Sequence, residues 1–263
     1  MKKFLNLFLI TVSSILFICS CLYIFKYFFD VWQTKKQSNL LNELSFTENI
    51  TNNIDNEKQS EIIIGKVKTE RMLKLEKLQL ENSDIIGWIE IENTNINYPV
   101  LQGEDNSYYM NHNYKKQKSA NGSIFLDKDY NFDLPSSNLL LYGHNMKNGT
   151  MFQHLLKYRD KTFYISHPVI RFTTNNEDVN YEIISVFESR VYYKSEKNVF
   201  RYYYFINAEN EGQYNEYVTN AKNASLYDTG KSAKYGEQLL TLSTCSYHTK
   251  NGRFVLVAKK GLE

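Results

Sequence analysis

A chain of 263 residues is long enough for one sizeable domain with accessory segments, and its formal net charge of +2 is too small to indicate a nucleic-acid-binding protein. Basic residues are interspersed with acidic ones, and no stretch forms a basic stripe interleaved with aromatic side chains. The 21 tyrosines and 16 phenylalanines, against only 3 prolines, favour a β-rich fold with aromatic packing.

The N-terminal segment is apolar and long enough to cross a membrane. Residues 1–3 are short and basic, and residues 4–25 are 22 side chains without charge. About 20 apolar residues in a helix span a bilayer, so we predict an uncleaved transmembrane signal-anchor over residues 1–29. A cleaved signal peptide is the alternative. Residues 18–21 weakly resemble a lipoprotein cleavage site at Cys21, but the apolar run continues beyond this cysteine.

Two segments connect this anchor to the β-rich part of the chain. Residues 30–65 are rich in Asn, Gln, Glu, Ser and Thr, which predicts a polar linker that is partly helical and partly disordered. Within residues 67–80, Met72, Leu75 and Leu78 recur at near-helical spacing among lysines and glutamates. This pattern predicts an amphipathic helix at the start of a folded domain of residues 66–263. We expect this helix to pack on the rest of that domain.

From residue 85 onward, short apolar and β-branched runs bounded by turn residues predict strands. These strands lie at residues 87–91, 96–100, 123–126, 138–142, 162–165, 169–172, 181–187, 239–244 and 254–258. Two helical segments are predicted among them. One or two turns cover residues 151–158, and a helix covers residues 207–226, with Tyr214, Tyr217, Val218 and Ala221 on one face. Many short strands with few helices predict a mainly β domain built on a closed barrel.

The last two predicted strands form a hairpin, because the polar segment between them ends in Asn251-Gly252. If the hairpin is symmetric about Thr249, Cys245 and Arg253 are directly opposite and share a face, with Cβ atoms about 5 Å apart. A thiol and a permanently charged guanidinium then enter the same space. Because the guanidinium fork suits an oxygen that carries negative charge, this pair predicts a site for acyl transfer at sulfur.

Cys245 is the one cysteine of the predicted domain, since the other two lie within the predicted anchor. Such a cysteine is either a buried structural residue or a nucleophile, and a nucleophilic thiol needs a base or a cationic partner. Among the five histidines, His144 follows a buried-strand pattern and Gly143, which places it on a rigid scaffold beside a cleft. His248 is the rival, because it lies in the loop directly after the cysteine.

The sequence contains no motif for a metal ion or a cofactor. There is no HxxxH, no CxxC and no clustered acidic loop, so neither a metal nor a cofactor is expected. His112 is interpreted as a surface loop residue, and His154 and His167 as structural residues.

Several motifs resemble those of a known family. LLLYGHNM (139–146), TLSTC (241–245) and GRFVLVA (252–258) together resemble a sortase, a Gram-positive cysteine transpeptidase. Three further stretches, at residues 85–103, 105–113 and 121–127, resemble the class B branch. The resemblance covers about residues 84–260. It implies an eight-stranded sortase barrel in which the helix over residues 207–226 is the class B insertion before the cysteine-bearing strand.

The resemblance also implies roles for individual residues. Cys245 would be the nucleophile, His144 its acid–base partner, and Arg253 the group that stabilises the oxyanion and the substrate. Several class B members have an acidic residue directly after the cysteine, whereas this chain has Ser246. Any function of that acid is therefore not carried over to this sequence.

The implied function is transfer of surface proteins to the cell wall. The enzyme would cleave a C-terminal sorting signal of the N-P-x-T-x kind, form a thioester, and transfer the acyl group to a peptidoglycan precursor or another cell-wall amine. The implied location is the cell membrane, with a single-pass anchor, the N-terminus inside and the catalytic domain outside.

Two other functions remain open from the sequence. The first is a cysteine endopeptidase that uses the same residues with water as the acceptor, in which case added amines would not change the product. The second is a membrane-anchored binding domain without catalysis, for which Cys245→Ala would leave function unchanged.

Overall fold

The computed structural model describes residues 2–46, 68–134 and 136–261. The chain divides into two compact units, Met1–Leu40 and Leu41–Glu263. The eight-stranded barrel and every feature of the site discussed below belong to the second unit.

The N-terminal unit is helical. Helix α1 covers Lys2–Phe46, and its segment Phe8–Phe29 is long and apolar enough to cross a membrane, the one such helix among the described residues. The helix covers residues 2–29 of the predicted anchor and continues into the first part of the predicted linker. The rest of that linker, residues 47–65, lies outside the described residues.

Eight strands form a closed barrel in the order β1-β2-β3-β4-β7-β8-β6-β5. Two neighbouring pairs, β2 with β3 and β4 with β7, are parallel, and the other pairs are antiparallel. The prediction of a closed eight-stranded barrel is therefore confirmed. The strands are β1 (Ile85–Glu90), β2 (Asn97–Leu101), β3 (Ile124–Leu126), β4 (Asn138–Tyr142), β5 (Val169–Thr173), β6 (Asp178–Arg190), β7 (Leu239–Cys245) and β8 (Gly252–Lys260).

Strand β7 is buried on both faces, which explains its nearly continuous run of apolar and β-branched residues. Leu240 and Leu242 point into the barrel and join its main apolar core. Leu239 belongs to a second cluster on the outer face of the barrel. Helix α4 (Glu211–Ala224) covers that outer face with the predicted apolar stripe, whose four members are all buried. A strand packed from both sides is a rigid support for the residue at its end.

Helix α2 (Glu70–Gln79) confirms the predicted amphipathic helix, although it begins three residues later than residue 67. Thr69 is the N-cap, because its hydroxyl accepts a hydrogen bond from the backbone N–H of Met72 at 3.3 Å. The same hydroxyl donates to Asp178 Oδ2 of β6 at 3.2 Å. Leu75 and Leu78 pack with Trp88 and its neighbours beside the barrel.

One predicted strand is wrong. Residues 162–165 lie in a short helix, α3 (Lys161–Ser166), and not in a strand. The Thr-Phe-Tyr-Ile composition suits a strand, but the carboxylate of Asp160 accepts the N–H of Thr162 at 2.8 Å and caps a helix. Burial of Tyr164 holds this turn against the barrel, and Pro168 follows its end. Local capping and tertiary packing therefore override strand propensity here.

The other helical predictions are correct in type and differ at their ends. The turns predicted over residues 151–158 form a 3-10 helix at Gln153–Arg159, which ends one residue later. The helix predicted over residues 207–226 is shorter, because the side chain of Asn210 caps its first turn by accepting from Gln213 at 3.0 Å.

Packing of α2 on the barrel gives a testable expectation. Leu75→Ala removes a side chain that is 1% exposed and leaves a cavity, so the free energy of unfolding should fall by about 2–5 kcal/mol. Leu73 lies on the same helix and is 47% exposed, so Leu73→Ala is the matched control with an expected change of at most about 0.5 kcal/mol. Urea unfolding of the full chain in detergent measures both, and equal effects would contradict the packing.

Candidate active site

Cys245 and Arg253 face each other beside the turn of the last hairpin. They are paired residues of β7 and β8, as the symmetric hairpin predicts. Their neighbour Phe254 belongs to the core inside the barrel, so alternation turns Cys245 and Arg253 to the outer face. The predicted pairing of Cys245 with Arg253 across the hairpin is therefore confirmed by the backbone register of β7 and β8.

Tyrosine side chains cover the outward-facing residues of β7 that precede Cys245. The hydroxyl of Tyr217 on α4 hydrogen-bonds Thr241 Oγ1 at 3.0 Å, and the hydroxyl of Tyr202 hydrogen-bonds Ser243 Oγ at 2.7 Å. Cys245 is the next residue in this row and is only partly buried. The thiol therefore lies where the aromatic cover of the strand ends.

His144 reaches the same place from the neighbouring strand. Strand β4 runs parallel to β7 with Tyr142 paired to Ser243, so the residues two positions later, His144 and Cys245, come level with each other. Beyond the paired residues, Asn145 Nδ2 donates to the carbonyl of Cys245 at 3.0 Å and keeps the two segments together. Two independent strand registers thus bring His144 and Arg253 to either side of Cys245.

Gly143 is required by close packing where the chain leaves β4. A Cβ atom at this position would lie 2.4 Å from Ile124 Cδ1 and 2.7 Å from Cδ2 of the fully buried Phe152. The backbone is also fixed there, because Gly143 donates to the carbonyl of Ser243 at 3.2 Å and accepts from Thr244 Oγ1 at 2.7 Å. The absence of a side chain lets His144 follow directly on a packed strand.

The ring of His144 is held by a backbone carbonyl. Its Nε2 lies 2.7 Å from the carbonyl oxygen of Met110, the last residue of the 3-10 turn Tyr108–Met110. A carbonyl can only accept, so Nε2 carries the hydrogen and the neutral ring keeps its lone pair on Nδ1. One nitrogen positions the ring and the other is left for proton exchange.

Arg253 keeps its charge available. Its Nη1 donates to the carbonyls of Gly252 at 2.9 Å and Asn251 at 3.4 Å, and it forms no ion pair among the described residues. The guanidinium is therefore oriented by backbone oxygens and is not neutralised by a carboxylate of the described chain.

These side chains line one cleft of about 240 Å³. Burial raises the pKa of both Tyr142 and Tyr202, while the nearby Arg253 acts in the opposite direction. Both phenols therefore stay protonated, and the cleft wall is aromatic and neutral around one cation. The lining residues are Asn106, Met110, Phe125, Tyr142, Gly143, His144, Val191, Tyr202, Tyr203, Ser243, Thr244, Cys245 and Arg253.

His248 has a different position from His144. Its Nδ1 hydrogen-bonds Ser246 Oγ at 2.8 Å in the turn after Cys245, and it is not among the residues that line the cleft. Ser246 is 2% exposed and also accepts from Arg159 Nη2 at 2.9 Å. Arg159 in turn donates to Glu188 Oε1 at 2.8 and 2.7 Å. Ser246, the residue after the cysteine, therefore links the hairpin turn to Arg159 and, through it, to Glu188.

Sequence reasoning did not find the walls of the cleft. Tyr142 and Ser243 could have been found by stepping back two residues from His144 and Cys245 along each strand. Asn106 comes from a loop and Tyr202 from the 3-10 helix Tyr202–Tyr204, both far away in the chain, and neither has such a signal. Among the described residues, no three His, Cys, Asp or Glu side chains cluster as a metal site would need.

Comparison with known proteins identifies the family. The family model for the sortase domain matches residues 89–261, which include the whole cleft hairpin. The chain belongs to the sortase family. Sortase B from Listeria monocytogenes is 35% identical over 199 residues, which is 74% of this chain and 75% of that protein. The chain is therefore a class B sortase and a cysteine transpeptidase.

Solved sortase structures share the fold. Sortase B from Bacillus anthracis aligns with a TM-score of 0.71 at 29% identity, covering 90% of this chain and all of that one. A Staphylococcus aureus sortase B–substrate complex aligns with a TM-score of 0.64 at 29% identity, covering 72% of this chain and 85% of that one. The resemblance to class B sortases in the sequence motifs is confirmed.

The close packing of Gly143 predicts a loss of both stability and activity. In this sortase, Gly143→Ala forces the ring of Phe152 to shift, which should lower the free energy of unfolding by about 1–3 kcal/mol. Because His144 follows directly, transpeptidase activity at a temperature where the variant is folded should fall by about 10- to 100-fold.

Gly103→Ala is the control for this variant, because its Cβ would meet no atom closer than 3.4 Å. Urea unfolding and peptide turnover measure the two effects. Equal behaviour of the two variants would contradict the packing argument.

Proposed function

We propose that this sortase uses Cys245, His144 and Arg253 to cleave a surface-protein sorting signal and to transfer its acyl group to a cell-wall amine. The observation that carries the proposal is the meeting of these three residues in one cleft through two strand registers. A nucleophile, a proton carrier and a free cation are the groups that acyl transfer at sulfur needs.

The first half-reaction forms a thioester. Nδ1 of His144 takes the proton of the Cys245 thiol, and the thiolate attacks a peptide carbonyl carbon to form a C–S bond. Arg253 stabilises the tetrahedral oxyanion, a contribution of about 10²–10³-fold. His144 then returns its proton to the leaving amine nitrogen, a contribution of about 10²–10⁴-fold, and the C–N bond breaks.

The second half-reaction releases the acyl group. An incoming amine attacks the thioester carbonyl, and His144 accepts the proton that this nitrogen loses. Arg253 again stabilises the oxyanion. The C–S bond breaks, a new amide forms, and the proton returns to the Cys245 sulfur. The hydrogen bond from Nε2 to Met110 persists through both halves, so the same ring nitrogen exchanges every proton.

The proposed donor is a C-terminal sorting signal of the N-P-x-T-x kind, and the proposed acceptor is a peptidoglycan precursor or another cell-wall amine. The Staphylococcus aureus sortase B–substrate complex supports peptide binding, since that enzyme shares the fold. The neutral aromatic wall of the cleft suits an uncharged peptide segment.

The apolar segment of α1 supports a location at the cell membrane. We propose a single-pass anchor over residues 1–29, a linker over residues 30–65, and an extracellular catalytic domain over residues 66–263. Because the donor and acceptor are both associated with the membrane, tethering would raise their effective concentration.

The proposal predicts amine-dependent products. With the full chain in detergent and a fluorogenic N-P-x-T-x peptide, adding triglycine should convert hydrolysed product into a glycine-ligated one, quantified by chromatography with mass detection. Cys245→Ala and His144→Ala should abolish both products. Release to water alone, unchanged by any amine, would favour the endopeptidase. Function in cells unchanged by Cys245→Ala would favour the binding domain.

The role of Arg253 gives a separate prediction. Arg253→Ala should lower kcat/KM by about 10²–10³-fold, and Arg253→Lys should recover only part of it, because lysine keeps the charge and loses the planar fork. Lys250→Ala, which removes a cation from the adjacent turn, is the control with unchanged turnover. A full rescue by Arg253→Lys would show that charge alone is needed.

A further inference from the structure

Asp127 is a buried carboxylate directly beneath the cleft, and the reaction described above does not use it. It follows β3, is 4% exposed, and forms no ion pair among the described residues. Burial of an unpaired carboxylate is unfavourable unless hydrogen-bond donors satisfy it. Its position therefore requires a structural or functional reason.

Three donors surround this carboxylate. Oδ2 accepts from the hydroxyl of Tyr142 at 2.9 Å and from Nδ2 of Asn106 at 3.0 Å, and Oδ1 accepts from the backbone N–H of Asp129 at 3.0 Å. Asn106 is tied a second time, because its Oδ1 accepts the backbone N–H of Lys128 at 2.8 Å. Tyr142 and Asn106 both line the cleft.

The two side-chain donors belong to the two segments that hold His144. Tyr142 ends β4, two residues before His144. Asn106 precedes the 3-10 turn whose last residue, Met110, offers its carbonyl to His144 Nε2 at 2.7 Å. One carboxylate therefore joins the strand that carries the histidine to the turn that orients its ring.

We propose that Asp127 is a positioning residue that sets the tautomer and orientation of His144 through Tyr142 and Asn106. The inference rests on the proposed acid–base role of His144. An ionised carboxylate is the one side chain of this size that offers only acceptors. Asparagine keeps only one acceptor oxygen and places an N–H₂ group against at least one of the three donors, so Asp127→Asn weakens the connection with almost no change in volume.

The experiment compares Asp127→Asn with Asp129→Asn in the full chain. Asp129 is the matched control, because it is the neighbouring carboxylate, its side chain is exposed, and its ion pair is with Lys128 at the surface. Asp127→Asn should lower kcat by about 10- to 100-fold with a smaller change in KM, and Asp129→Asn should change neither.

A second readout reports the ring itself. In protein with ¹⁵N-labelled histidine, the ring nitrogen shifts of neutral His144 should show hydrogen on Nε2 in the unsubstituted chain and in Asp129→Asn. In Asp127→Asn they should shift towards a mixture of tautomers. A purely structural role would change the unfolding midpoint and leave the tautomer and the kcat-to-KM pattern as they are.

The outcomes separate this inference from the proposed function. If Asp127→Asn matches Asp129→Asn in kcat and in ring shifts, the inference is overturned, whatever His144→Ala does. If His144→Ala keeps full activity, the proposed function fails, while the ring shifts still decide whether Asp127 sets the tautomer.

Should Asp127→Asn fail to fold, Tyr142→Phe removes one donor and leaves the carboxylate in place. Tyr142→Phe should shift the His144 tautomer in the same direction, since it removes the hydrogen bond between Asp127 and the end of β4. An unchanged tautomer in a folded Tyr142→Phe variant, together with an unchanged tautomer in Asn106→Ala, overturns the inference.

Discussion

The site depends on the pairing of β7 with β4 on one edge and with β8 on the other. The parallel register with β4 brings His144 level with Cys245, and the antiparallel register with β8 places Arg253 opposite it. Because side chains alternate along a strand, a slip of one residue in either pairing would turn His144 or Arg253 away from the face that carries Cys245. Burial of both faces of β7, by the barrel core and by α4, fixes these registers.

The electrostatics of the cleft follow from what surrounds these strand ends. Tyr142 and Tyr202, which stay protonated, form part of the wall, and Arg253 is oriented by carbonyls without forming an ion pair among the described residues. Behind the turn, Arg159 and Glu188 bind each other and hold the buried Ser246 hydroxyl. Ser246, the residue directly after Cys245, thus meets an arginine and, through it, a glutamate from β6.

Much of the barrel and the pairing of Cys245 with Arg253 could be predicted from the sequence, because both follow from local alternation and turn residues. The helix at Lys161–Ser166 could not, since its strand-like composition is overridden by the Asp160 cap and the burial of Tyr164. Asn106 reaches the cleft from a loop and Tyr202 from a 3-10 helix, and Asp127 acts through hydrogen bonds to residues 15 and 21 positions away. Such contacts depend on how the barrel closes, which no local pattern encodes.

The most direct test of this account is the mass of the intact protein during turnover. The full chain is incubated with an N-P-x-T-x peptide without amine, quenched in acid, and examined by intact and proteolytic mass spectrometry. We expect an adduct with the mass of the acyl fragment on the peptide that contains Cys245, lost on addition of triglycine and absent from Cys245→Ala. An adduct on another residue, or peptide cleavage that persists in Cys245→Ala, would contradict the assignment of Cys245 as the nucleophile.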